Sequence, residues 1–212
     1  MSTQKYELTG TTKVNDWGVT VHQIRATEDI PRFGIRKGDL GGWVESETLR
    51  NGDARVSGDA WVSGNAQVSG NAQVSGNARV YGDARVSGDA WVYGDAQVSG
   101  NARVSGDARV YGDAQVSGNA QVSGDARVET PWHYLVVGPI GSEGVTATLF
   151  RTKDGKHCLN VGCWDGTLGT LMAEVKRRRE DWFADEAVQD VWVAQYRALK
   201  TLGKATVARW AL

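Results

Sequence analysis

"SGDARV", Ser105–Val110, returns letter for letter at Ser123–Val128. The same phrase, with small changes of spelling, fills the middle of the chain: from Asn51 to Val128 the sequence is thirteen unbroken hexapeptides of the form x-Gly-Asp/Asn-Ala-x-Val. Gly recurs at every sixth position from Gly52 to Gly124, with Ala two places later and Val two places after that. Self-similarity at a fixed period outranks every other signal in a sequence. Ala and Val two residues apart point to one side of a short extended segment, and the Arg, Gln or Trp between them points to the other. The next three residues, Ser or Tyr, then Gly, then Asp or Asn, suit a corner, because Gly and Asx accept the left-handed backbone region at little cost. Each hexapeptide therefore reads as one strand and one corner. A strand so short cannot bury its apolar side alone, so the chain must coil and stack Val and Ala on those of the next turn.

This spacing resembles the hexapeptide-repeat family of left-handed parallel β-helices, in which three hexapeptides form a triangular coil of eighteen residues. The resemblance implies a mainly β fold: a left-handed β-helix of about four coils over residues 51–130, a prism of roughly 20 Å at about 4.8 Å per stacked strand. In the common pattern Gly often directly follows the aliphatic residue, whereas here it comes one place later, which leaves the corner geometry open. An open stack exposes strand edges and needs covers. Residues 1–50, with "YELTGTTKV", "VTVHQIRA" and "LGGWVE", read as an N-terminal β cap entering the first coil through Trp43 and Val44. Residues 131–212 read as a β-β-β-α-α domain: three strands in "YLVVGPIG", "VTATLFRTKDG" and "KHCLNVGCW", then a helix capped by Thr167 with Leu168, Leu171, Met172 and Val175 on one face. A second helix would bury Val188, Val191, Trp192, Leu199 and Leu202. Its further apolar residues, Val193, Tyr196, Val207 and Trp210, are then the expected oligomer contact, in a dimer or a trimer.

The segments Gly41-Gly42-Trp43-Val44, Gly138-Pro139-Ile140-Gly141, Gly162-Cys163 and Gly166-Thr167-Leu168 are similar to those of bacteriophage and prophage proteins described as hexapeptide-repeat or polymer-forming. That resemblance implies a protein made inside a bacterial cell. The start, "MSTQKYELTG", has no apolar core of a secretory signal, and no apolar run reaches 18 residues, so a cytoplasmic location is expected and a membrane span is not. The 24 basic and 25 acidic residues nearly cancel. Within the repeats, 8 Asp against 6 Arg leave the prism no imitation of DNA, so nucleic acid is not an expected partner.

Many hexapeptide-repeat proteins are acyltransferases that use acetyl-CoA, with a general-base histidine and a loop protruding from the coils. Residues 51–128 hold no His and no inserted loop, while His22 and His133 flank the prism and keep that reading open. His157 and Cys158 are adjacent, but strand neighbours point to opposite faces, so they form no dyad. Cys158 and Cys163 are expected as buried reduced thiols, and neither a metal nor a cofactor is expected. Gly138, Gly141 and Gly144 lack the helix and Lys-Ser/Thr of a phosphate cradle and suit a hairpin. "KRRR" at 176–179 suits the end of a helix and a solvated face.

Stacking at eighteen residues assigns the outward side chains to three faces. One carries Trp91, Arg109 and Arg127, following Asp89, Asp107 and Asp125; a second carries Trp61, Arg79, Gln97 and Gln115, with Tyr93 above or below Tyr111; the third carries Gln67, Arg85, Arg103 and Gln121, with Tyr81 to one side. Exposed aromatics and Arg are the residue types of protein interfaces. Trp61, Arg79, Tyr81, Arg85, Trp91, Tyr93, Arg103, Arg109, Tyr111 and Arg127 are thus the candidate interaction surface. The expected function is a non-enzymatic binding protein that occupies a host protein's surface, as inhibitor or adaptor and with a defence component among the targets. An acetyl-CoA-dependent acyltransferase and a virion or assembly component are the alternatives.

Overall fold

The computed structural model describes residues 5–46 and 49–210. An antiparallel hairpin, β1 (Tyr6–Val14) and β2 (Thr20–Ala26), leads through the turn Pro31–Phe33 to β3 (Leu40–Val44) and β4 (Leu49–Gly52). The repeats follow as short strands at six-residue spacing: β5 (Arg55–Val56), β6 (Trp61–Val62), β7 (Gln67–Gly70), β8 (Gln73–Val74), β9 (Arg79–Val80), β10 (Arg85–Val86) and β11 (Trp91–Val92). They continue as β12 (Gln97–Val98), β13 (Arg103–Val104), β14 (Arg109–Val110), β15 (Gln115–Val116), β16 (Gln121–Val122) and β17 (Arg127–Val128). The C-terminal head contains β18 (Tyr134–Ile140), β19 (Val145–Arg151), β20 (His157–Val161), β21 (Trp164–Gly166), α1 (Leu171–Arg179) and α2 (Glu186–Arg209).

Every third repeat strand pairs in parallel, so the coils stack into three sheets, a β-solenoid of about four coils. Their orders are β1-β2-β3-β6-β9-β12-β15, β4-β7-β10-β13-β16 and β5-β8-β11-β14-β17. From β5 onward the register is eighteen residues, as in Trp91 opposite Arg109 and Val92 opposite Val110, while β4 is offset by one residue where Leu49 and Arg50 pair with Val68 and Ser69. Each coil hands its amides to the next, Trp91 N to Ala108 O at 2.9 Å and Tyr93 N to Val110 O at 3.0 Å. Val and Ala of the repeats fill the interior, with Val62 through Val128 at 0–2% exposure. The corners are made by Gly with positive φ, +70° at Gly88 and +68° at Gly106, which settles the corner geometry that the shifted Gly left open.

Both ends of the solenoid are plugged. Tyr6 and Ile24 of the β1–β2 hairpin complete the core at one end and Phe150 of β19 enters it at the other. β3 is itself a rung of the first sheet, pairing in parallel with β6, so the cap extends a solenoid sheet rather than merely covering it. The head sits on the last coil through Gln121 N to Thr148 Oγ1 at 3.0 Å, Lys153 N to Asp125 O at 3.0 Å and a bridge between Ala126 and Thr152.

The head departs from expectation in four details. A fourth strand, β21, returns antiparallel on β20 after a turn at Gly162 and Cys163, which leaves Cys163 exposed rather than buried. α1 starts at Leu171, because Thr167 closes a turn first, its Oγ1 accepting from Thr170 N at 3.3 Å. The expected oligomer contact is used inside the chain: Val193 and Tyr196 are buried, and Val207 and Trp210 pack on the same core. Conversely Val188, Val191 and Leu202, assigned to the inward stripe, are 43%, 58% and 49% exposed. Gly203 explains the rotation. A Cβ there would lie 2.6 Å from Leu168 Cδ2, so this bare position is where α2 comes closest to its neighbours.

Candidate functional site

The three solenoid faces share one backbone and differ in what covers them. On the face of β6, β9 and β12, the β1–β2 turn folds back over the coils. Asn15 Oδ1 accepts from Trp17 N at 3.0 Å and Val19 N at 2.9 Å, a side-chain-closed turn that holds Trp17 outward. Trp17 then lies 4.8 Å from the Trp61 ring and 4.2 Å from Tyr81, and Asp16 Oδ2 is 2.6 Å from Arg79 Nη2. Trp61 is 5% exposed. Trp61, Arg79 and Tyr81 therefore belong to an internal contact and are not open surface. On the face of β7, β10 and β13, Arg85 and Arg103 are exposed on a floor with no aromatic side chain. Tyr93 and Tyr111 stack at a corner, 5.1 Å apart and 6° from parallel, with Tyr93 edge-on to Trp91 at 6.4 Å.

The remaining face, β5-β8-β11-β14-β17, carries a groove of about 660 Å³. Gln73, Trp91, Arg109 and Arg127 form its floor, each eighteen residues from the last. The Arg109 guanidinium carbon is 4.9 Å from the Trp91 ring centroid, and Arg127 Nη1 donates to Asp107 O at 2.9 Å. Asp89, Asp107 and Asp125 line one side. The N-terminal part closes one end with Arg32 and Phe33, and the head closes the other with Lys153. Arg32 pairs with Asp89, and Lys153 Nζ with Asp125 Oδ2 at 3.0 Å. Among the described residues Arg109 and Arg127 have no carboxylate partner, and Asp107 has no cation partner, so the groove keeps a net positive charge of one. This is where all three parts of the chain meet.

The sequence brings Trp91, Arg109 and Arg127 together by period alone. Arg32, Phe33 and Lys153 were not anticipated. Their only local signs are the Pro31 turn and the Asp154-Gly155 turn, neither of which says which face it overhangs.

The histidines and thiols lie elsewhere. His133 Nδ1 accepts from Glu129 N at 3.3 Å, and burial, then the Arg151 charge, holds this imidazole below its ordinary pKa. His157 Nε2 accepts from Leu168 N at 3.1 Å, and burial lowers its pKa too. Cys158 packs toward the solenoid core, where burial, then the charge of Asp165, raises its thiol pKa. Arg177 and Arg178 of "KRRR" both bind Glu174, and Arg179 binds Asp190, so this run serves internal pairs more than a solvated face.

No helix among the described residues is long and apolar enough to cross a membrane. No curated protein matches the chain. A family model described as the YdcK beta solenoid repeat matches residues 72–85, 78–94, 96–112 and 102–118, stretches that include Trp91 and Arg109 of the groove floor. The repeats of this chain are β-solenoid repeats similar to that family.

Proposed function

We propose that this is a non-enzymatic binding protein that acts by occupying a partner protein's surface through the Trp91–Arg109–Arg127 groove. The observation that carries the reading is an exposed Trp91–Arg109 stack on a rigid floor, walled at both ends by the chain's own cap and head. Aromatic and Arg side chains on a pre-formed surface supply contact area at little ordering cost. The groove suits an extended, acidic protein segment, since two guanidiniums lack carboxylate partners while two of the three aspartates are already paired. With the resemblance to phage proteins, the reading extends to a phage-type protein in the cytoplasm of the cell that makes it, where it inhibits or redirects a host protein such as a defence component. The test is capture from bacterial lysate with the full chain. A partner held by the parent should be lost with Trp91→Ala or Arg109→Glu and kept with Arg103→Glu on another face. Equal capture by all variants, or saturable acetyl-CoA binding, would overturn it.

Self-association belongs, on this reading, to the outer face of α2 and to a second copy of the chain. Val188, Val191, Ala194, Ala198, Leu202 and Ala205 lie along one exposed stripe, flanked by Asp190, Arg197 and Lys204. Antiparallel pairing centred near Arg197 sets Val191 opposite Leu202, Val188 opposite Ala205 and Asp190 opposite Lys204, with Arg197 the one like-charge meeting. Parallel pairing would set like charges together at all three flanking positions. A two-fold dimer follows.

A further inference from the structure

Behind Phe33, away from the groove, a second cavity of about 390 Å³ lies between the N-terminal cap and the first coil. Arg55 begins the same ladder as Gln73, Trp91, Arg109 and Arg127, so strand alternation turns it outward while Val56 is buried. Over the later rungs the face is open, but over Arg55 it is roofed. An antiparallel bridge between Ile30 and Ile35 and the turn Pro31–Phe33 close a loop there, and the Phe33 ring centroid lies 5.5 Å from the guanidinium carbon. Arg55 Nη2 donates to Ser57 Oγ at 3.3 Å, while Nε is buried and meets no acceptor among the described residues. Burial also holds the Arg55 pKa below its ordinary value, as expected of a cation drawn from water without a carboxylate beside it.

The nearby carboxylates are held by other groups. Lys5 Nζ is 2.8 Å from Asp53 and 3.0 Å from Glu28, Arg32 pairs with Asp89, and Asp39 Oδ2 accepts from Arg36 N at 2.8 Å. The rest of the wall is apolar, with Tyr6, Ile24, Ile30 and Ile35 inside and Leu40, 63% exposed, at the mouth. Buried charged groups almost always have partners, so a guanidinium that lines a cavity and meets no carboxylate among the described residues points to an anion as its missing partner.

We propose that this cavity binds a small organic monocarboxylate with an apolar body, its carboxylate taken by the Arg55 guanidinium and its body by the Tyr6, Ile24, Ile30 and Ile35 walls. A planar guanidinium edge matches a carboxylate geometrically. A phosphate fits less well, because it brings a second negative charge to a site with one unmatched cation and the Asp39 carboxylate in its wall. The volume exceeds the ~150 Å³ that holds a benzene molecule by more than twofold, so an arylalkanoate or medium-chain acid fits.

The full chain is titrated by calorimetry with 4-phenylbutanoate, with 4-phenylbutanol, which keeps the body and lacks the charge, and with inorganic phosphate. The acid is expected to saturate one site at least tenfold more tightly than the alcohol, with phosphate not competing. Arg55→Gln should abolish that preference, while Arg109→Gln in the groove should leave it intact even where it loses the protein partner. Arg55→Lys keeps the charge without the planar edge and is expected to weaken the acid at least fivefold, so the idea stays testable if Arg55→Gln does not fold. Absence of saturable binding, equal affinity for acid and alcohol, displacement by phosphate, or an unchanged preference in Arg55→Gln would each overturn the proposal.

Discussion

Replacing Val92 by Ala, and separately Trp91 by Ala, perturbs neighbouring residues of one two-residue strand and should have opposite consequences. Val92 is 0% exposed and stacks between Val74 and Val110 in the eighteen-residue register. Val→Ala removes the equivalent of two buried methylenes, about 0.8 kcal/mol each. The neighbours above and below are held by their ladders at ~4.8 Å and cannot close the gap, which adds a cavity cost of about 1 kcal/mol. The expected loss is about 2.5 kcal/mol. Trp91 is 39% exposed, and its ring meets Arg109 at 4.9 Å and Tyr93 edge-on at 6.4 Å. An exposed cation–π contact contributes about 0.5–1 kcal/mol and the covered part of the ring adds about 1–2 kcal/mol, so Trp91→Ala should cost about 2 kcal/mol. Urea unfolding followed by circular dichroism reads both, with midpoints and slopes compared because a repeat array need not unfold in two states. With both variants assayed well below their midpoints, Trp91→Ala should lose partner capture and Val92→Ala should keep it. If Val92→Ala loses capture under those conditions, or costs under about 0.5 kcal/mol, the inward-outward alternation that defines the groove floor is wrong.

The corner glycines offer a matched pair. Gly106 (φ +68°) has Gly124 N only 2.9 Å from where its Cβ would be, whereas Gly124 (φ +57°) has nothing within 4 Å, so Gly106→Ala should destabilise more than Gly124→Ala, which pays only the left-handed strain of about 1–2 kcal/mol; equal urea midpoints would refute the steric part. Hydrogen bonds from Arg177, then Arg178, depress Glu174 from 4.5 to about 2. Its contribution is therefore complete above about pH 4.5 and is lost as pH falls through about 2, so parent and Glu174→Gln melting curves should differ at pH 7 and converge toward pH 2. Asp190→Lys should weaken the α2–α2 dimer and Lys204→Asp added to it should restore the pairing, read by light scattering. Because Asp190 also binds Arg179 at 2.9 Å, Val191→Asp serves as a second disrupting variant, and unchanged mass in both single variants would remove self-association from this face.

The solenoid was legible because its evidence is redundant: thirteen copies agree on which residue turns inward, and one misread copy changes nothing. The head offered each helix face only once. α2 is apolar around much of its circumference, and Val188, Val191 and Leu202 compete on paper with Val193, Tyr196 and Val207 for the core. Gly203 resolves the competition, since the side without a side chain can approach Leu168 and Leu149, and its neighbours on that face are Tyr196 and Leu199. The sign was present, but a helical glycine reads first as a propensity cost and only second as a packing surface. Trp61 failed differently. Its ladder position was right, and only the long-range return of Trp17 buries it.

The same division explains why the groove's floor could be read and its walls could not, and it gives the walls a physical cause. Asp89, Asp107 and Asp125 follow one another at eighteen-residue spacing, so three carboxylates stack at one corner of the solenoid. Earlier on that ladder the repulsion is softened by Asn71, whose Nδ2 donates to Asp89 Oδ1 at 3.2 Å. Two full charges at ~4.8 Å repel by about 1 kcal/mol in water, and more where a wall excludes solvent. The repeat supplies no cation on its own row to relieve this. Arg32 from the N-terminal side reaches Asp89, and Lys153 from the head reaches Asp125, one at each end of the stack. The carboxylate row thus draws both overhanging loops onto this face. Asp107 remains between them, beside Arg109 and Arg127, so the electrostatics that close the groove at its ends also leave its centre as the part with charges still open to a partner.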